Sequence, residues 1–167
     1  GEVTTGEKLL ASTDVHGQFA GIPIVVQAVN AINKTKAARS VMESALGVDK
    51  DAWLPELATK KFRSQAPKAK SSKVVNGEKT PGKVVIYATC YVNYNEPGIG
   101  MDLLKILDHN DIPYELVSKE KCCGMPKLEL GDLKSVDENK KINIPFLAKY
   151  AREGYAILSA VPSCTLM

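Results

Sequence analysis

Four cysteines, Cys90, Cys122, Cys123 and Cys164, are the residues of this 167-residue chain whose type and spacing point to chemistry. Two of them stand side by side in "KEKCCGMPKLELGDL", followed at once by Gly124 and Pro126. Neighbouring Cα atoms lie about 3.8 Å apart, shorter than the roughly 4.4–6.8 Å that an ordinary disulfide spans. Consecutive side chains also point in different directions, so a pair of packing cysteines is a poor reading. A loop that aims two thiolates at one object fits better. A four-thiolate zinc site commonly draws its ligands from paired C-x2–4-C knuckles, and a thioredoxin-like dithiol uses C-x-x-C. The chain contains no C-x2-C. Iron–sulfur clusters take four cysteine ligands as their standard set, so the pattern leans to an iron–sulfur centre. A thiol/disulfide redox enzyme working through Cys122 and Cys123, and a zinc-stapled interaction domain, stay open as alternatives.

The elements that must position these thiols follow from hydrophobic patterning. "KVVIYAT" (83–89), "PYELVS" (113–118) and "YAILSAV" (155–161) read as short buried strands. Between the first two, "NEPGIGMDLLKILDHND" gives a helix with Met101, Leu104 and Leu107 on its apolar face. Between the last two, a helix is expected over roughly 132–152, interrupted at Pro145. The order β-α-β-α-β predicts an α/β fold with a small parallel sheet and packed helices. In such a sheet all strand C-termini lie on one edge, where ligands bind. Cys90 follows the first strand, Cys122 and Cys123 the second, and Cys164 the third, so topology gathers all four. Gly98 and Gly100, at the start of the first crossover helix, and Gly124 are expected to let backbone N–H groups approach an anionic centre.

The rest of the chain is less informative. Residues 1–63 read as a helical N-terminal segment, with Ser12–Asp14 as a cap, Pro23 opening a helix, Gly47 closing another, and a third short helix in "LPELATKKF". His16 has no companion ligand nearby, and Trp53 reads as packing. Residues 64–82 read as a Lys-rich linker, and 83–167 as the cysteine-bearing domain. From Lys60 to Lys83 eight basic residues face Glu78 alone, but only Phe62 is interleaved, so no nucleic-acid partner is expected. No 18-residue apolar run or signal peptide is visible. G-x-G at Gly98–Gly100 lacks the rest of a dinucleotide fingerprint.

The spacing of Cys90, the Cys122–Cys123–Gly124 run and "PSC" at Cys164 resembles the CCG cysteine-rich domain family. That domain occurs in the B subunit of heterodisulfide reductase and in the iron–sulfur C subunit of anaerobic glycerol-3-phosphate dehydrogenase. The resemblance to the C-subunit type runs from "ATCYVNYNEPGIGMDLLKILDHNDI" to "PSCTLM", and "LASTDVHGQFAGIPIVVQAVNAINKTK" is similar to the stretch that precedes such a domain. It implies an electron-transfer protein in which Cys90, Cys122, Cys123 and Cys164 hold an iron–sulfur cluster, of 4Fe-4S type. Electrons would pass from a flavoprotein dehydrogenase partner towards a quinone or similar acceptor, in the cytoplasm or at the inner face of the membrane. Members carry ferredoxin-like clusters and a second CCG domain not found here, so the chain is expected to be a middle piece of a longer subunit. The family's fifth cysteine is Met167 in this sequence.

Overall fold

The computed structural model describes residues 3–67, 69–70 and 83–167. Most of the expected linker, 68 and 71–82, lies outside the described residues. The chain begins with α1 (Thr5–Ala11), whose first turn is closed by a capping box between Thr4 and Glu7. A one-turn helix α2 (Thr13–His16) and a 3-10 turn (Gly17–Phe19) lead to α3 (Pro23–Lys34), which Pro23 opens, and α4 (Lys36–Leu46). Gly47 ends α4 with φ of 70°, as its position predicts. The expected helix in "LPELATKKF" does not form; 54–61 is irregular and only α5 (Phe62–Gln65) is helical. Trp53, expected to pack, is 75% exposed.

After the two-residue strand β1 (Ala69–Lys70) come β2 (Val84–Ile86), α6 (Thr89–Tyr94), α7 (Pro97–His109), β3 (Tyr114–Leu116), α8 (Met125–Glu129), α9 (Leu133–Arg152), β4 (Ala156–Leu158) and α10 (Pro162–Thr165). The sheet order is β1-β3-β2-β4. β2 lies parallel between β3 and β4, with Val85 opposite Glu115 and Ile157, while β1 adds antiparallel to β3. The α/β architecture with a three-stranded parallel sheet and a helical N-terminal segment is therefore as the patterning predicts.

Alternation along the strands divides the core into two faces. Val84, Ile86, Tyr114 and Leu116 pack with Leu104 and Leu107 of α7 on one side. Val85, Tyr87 and Val117 pack with Cys122, Cys123 and Tyr150 of α9 on the other. Phe62 and Ala66, on the N-terminal segment and the expected linker respectively, belong to the first face, so packing runs across the expected boundary at 63/64. Pro145 does not interrupt α9. Phe146, Leu147 and Tyr150 on its buried side pack into the second face and hold the helix together past the missing N–H. From β2 the chain runs through α6 and α7 to β3 on one side, then returns past β2 to β4 on the other. Strand order thus reverses at β2, the place where open α/β sheets leave a crevice at their C-terminal edge.

Candidate functional site

Three short helices, none of them legible as helices in the sequence, stand at that edge. Cys90 is the second residue of α6, Cys122 and Cys123 lie just ahead of α8, and Cys164 is within α10. All four cysteines are free thiols. Cys90 Sγ lies 3.5 Å from Cys122 Sγ, and Cys123 Sγ lies 3.2 Å from Cys164 Sγ. Cys122 and Cys123 are neighbours in the chain, so the two sulfur pairs stand side by side. Cys122 and Cys123 are buried, at 2% and 9% exposure; Cys90 and Cys164 are half-buried.

Protons are unequally shared within this group. The Cys123 thiol, followed by that of Cys90, draws Cys122 far below the ordinary thiol range, and the Gly124 amide adds to this. Cys164 is lowered to about 7, chiefly by the Cys123 thiol. Cys123 and Cys90 are raised in turn, each foremost by the neighbouring Cys122 thiol and also by burial. A proton placed between two sulfurs stabilises one thiolate at the other's expense. Cations that bind thiolates would compete for those positions.

Backbone and side chains around the group hold it in place. Gly124 has φ of 101°, a conformation that a side chain strongly disfavours, and lets the chain turn directly from Cys123 into α8. A Cβ there would lie 3.6 Å from the terminal methyl of Met167. Gly98 is exposed, with open space where a Cβ would be. Gly100 is tightly packed: a Cβ would lie 2.6 Å from the Phe62 ring and 2.7 Å from Val92. That contact sets how closely α7 lies on α5 and α6.

Residues without a sequence signal complete the frame. On α9, Asn139 Nδ2 donates to the Cys122 carbonyl at 3.0 Å. One turn later Asn143 accepts from the Lys121 amide at 2.8 Å and donates towards Tyr87 Oη, the Lys121 carbonyl and the Cys122 carbonyl. Tyr87 Oη donates to the Lys121 carbonyl at 2.7 Å. Glu120 accepts from the Ala88 amide at 3.0 Å and pairs with Arg63 at 3.0 Å; Arg63 also donates to the Val117 carbonyl. The loops ahead of Cys90 and Cys122 are thereby tied to each other. Thr13, on α2, places its hydroxyl 3.4 Å from Cys90 Sγ and 3.3 Å from Cys122 Sγ. A cavity of about 100 Å³ adjoins Cys90 and Cys122, walled by Asp14, Thr89, Asn93, Glu120 and Lys121. A larger one, about 990 Å³, opens beside Trp53 and Arg39 and contains no cysteine.

Thr89 is the most constrained of these residues. Its φ of 69° is uncommon for a β-branched residue, and its buried hydroxyl has no hydrogen-bond partner within ordinary geometry. It nonetheless lies close enough to Cys164 to favour that thiolate. A strained residue with an unpaired donor beside sulfur suits an anionic occupant. By donor type and number the residues fit an iron–sulfur cluster: four thiols, an unpaired buried hydroxyl, and amide donors from Gly124 and Met125. Among the described residues no group of three or more His, Cys, Asp or Glu is arranged around a single metal ion. His16 bonds the Leu9 carbonyl at 2.7 Å and stands apart from the thiols.

Sequence comparison relates the chain to known proteins. The family model for the cysteine-rich domain (CCG) matches residues 84–167. The C subunit of anaerobic glycerol-3-phosphate dehydrogenase from Escherichia coli is 28% identical over 160 residues, 94% of this chain, and the same figures hold for two strains. The B subunit of fumarate reductase (CoM/CoB) from Methanothermobacter marburgensis is 27% identical over 89 residues, 53% of this chain and 17% of that protein. The chain spans 38% of the length of the glycerol-3-phosphate dehydrogenase relatives. No solved structure matches significantly. With half its length matched by the family model, and that half carrying all four thiols at one sheet edge, the chain belongs to the CCG cysteine-rich domain family.

Proposed function

We propose that this chain is the cluster-binding part of an iron–sulfur electron-transfer protein, with Cys90, Cys122, Cys123 and Cys164 as the cluster ligands. The observation that carries the reading is the gathering of all four sulfurs, from three separate strand ends, into two contacting pairs that share the adjacent Cys122 and Cys123. An iron–sulfur cluster, when bound, supplies reversible one-electron storage. The residues of this chain hold and orient it: α9 grips the Cys122 carbonyl through Asn139 and Asn143, and the Arg63–Glu120 pair fixes the turn before Cys90. Amides of Gly124 and Met125 favour thiolate sulfur.

The relatives are named as subunits of a dehydrogenase and a reductase. By extension, the cluster is of 4Fe-4S type and passes electrons from a flavoprotein dehydrogenase partner towards a quinone or similar acceptor. Among the described residues no helix is long and apolar enough to cross a membrane. A cytoplasmic position, peripheral at the inner face of the membrane, is the matching location. The thiol/disulfide alternative is less well supported, because both members of its pair, Cys122 and Cys123, are buried.

The test is anaerobic reconstitution of the full-length protein with iron and sulfide, followed by electron paramagnetic resonance before and after dithionite. A redox-active signal that Cys122→Ser abolishes or alters is the expected result. A signal identical in the two proteins would remove Cys122 from the ligand set.

A further inference from the structure

The thiols are not held by the CCG segment alone. Thr13 comes from the N-terminal segment, 77 residues before Cys90 and 109 before Cys122, yet its hydroxyl reaches both sulfurs. It is anchored on both sides. On one side Lys127 of α8, 7% exposed, pairs with Asp14 at 3.0 Å and donates to the Ala11 carbonyl at 3.4 Å. On the other, Gly17 lies so near the Tyr94 ring of α6 that a Cβ would overlap it. The two helices that residues 11–17 touch in this way, α8 and α6, flank Cys122 and carry Cys90. A buried lysine tied to a carboxylate one residue from Thr13 is a specific attachment, since removing Asp14 would leave the Lys127 charge buried without its counter-ion.

We propose that Thr13 is a positioning residue for the thiol centre: its hydroxyl donates to the Cys90 and Cys122 sulfurs and raises the reduction potential of the cluster they hold. The inference rests on the iron–sulfur reading. Reduction adds one electron and no proton, so negative charge grows on the cluster and its thiolates. A donor aimed at those sulfurs stabilises the reduced form more than the oxidised form, which moves the potential upward. Loss of one such hydrogen bond is expected to shift the ratio of reduced to oxidised centre by about tenfold, or 59 mV for a one-electron couple.

The experiment compares the unaltered full-length protein with Thr13→Val, Thr13→Ala and Thr13→Ser, each reconstituted anaerobically with iron and sulfide and titrated potentiometrically by electron paramagnetic resonance. Valine keeps the shape and removes the hydroxyl; alanine removes it by a second route should the valine protein fail to fold; serine restores it. A lower midpoint in Val or Ala, with Ser returning towards the unaltered value, is the expected pattern. Equal midpoints in all four proteins, or the same fall in Ser as in Val, would overturn the role of Thr13 and leave the cluster assignment standing. Absence of iron and sulfide from the unaltered protein would overturn both.

Discussion

Replacing Arg63 by methionine tests how the two cysteine-bearing loops are tied together. Methionine keeps the unbranched stem and removes the guanidinium, which pairs with Glu120 at 3.0 Å and donates to the Val117 carbonyl at 2.7 Å. Breaking a buried ion pair costs about 3–5 kcal/mol because it strands the remaining charge. Here the side chains are 29% and 11% exposed, so solvent screens part of that. A loss of about 2–3 kcal/mol at neutral pH is expected. With an m-value of about 2 kcal/mol/M, the urea midpoint of the metal-free protein should fall by roughly 1–1.5 M.

The sign of the pH dependence follows from Glu120. Burial already holds its carboxyl above the ordinary 4.5, with Arg63 the foremost opposing influence. Removing Arg63 raises it further. A carboxyl whose folded value exceeds its unfolded value contributes stability that is present below the unfolded value and lost as pH rises through the folded one. The deficit of Arg63→Met should therefore be smallest below pH 4.5 and grow as pH rises above it. Adding Glu120→Gln should recover part of it at pH 7. A deficit under about 0.5 kcal/mol at pH 7, or one unchanged across the pH range, would refute the reasoning.

Asn143→Leu should destabilise the metal-free protein by about 1–3 kcal/mol, because the half-buried Lys121 amide loses its acceptor; Asn139→Ala, whose Cys122 carbonyl target Asn143 also reaches, should cost less. Urea titration of both variants checks the order. Gly124→Ala should cost about 1–3 kcal/mol through its φ of 101° alone, read as a fall in melting temperature. In the metal-free protein, half-buried Cys164, lowered to about 7, should be alkylated ahead of half-buried Cys90, which is raised. The Cys164 rate should climb between pH 6 and 8 and then level, as mass spectrometry of timed samples would show.

The sheet was legible because Val84–Ile86, Tyr114–Leu116 and Ala156–Leu158 sit in apolar runs separated by lengths that only a crossover fills. The crossovers then make the three strands parallel, which puts the four cysteines on a shared edge. What escaped depends on tertiary contact. α6 consists of Thr, Cys, Tyr, Val, Asn and Tyr, a composition with little helical preference; burial of Val92 and the hydrogen bond from the Arg63 amide to Asn93 hold it as a helix. α10 is four residues long, below the reach of periodicity, although Pro162 at its first turn was a signal. Asn139 and Asn143, four apart on an expected helix, carried the spacing of one buried face, but polar residues are normally assigned to the wet side. Thr13, Arg63 and Glu120 gave no signal, since nothing local indicates a partner more than 50 residues away. α9 passes through Pro145 because its buried face supplies what the missing hydrogen bond does not.

The central claim is that these four sulfurs act together as one ligand set for iron and sulfide. Chemical analysis of iron and acid-labile sulfide in the anaerobically purified full-length protein tests it most directly, beside a variant with Cys90, Cys122, Cys123 and Cys164 all changed to serine. Iron and sulfide present together in the first and reduced by one cluster's worth in the second is the predicted result. Equal iron and sulfide in both proteins, or zinc without sulfide bound at these cysteines, would contradict it.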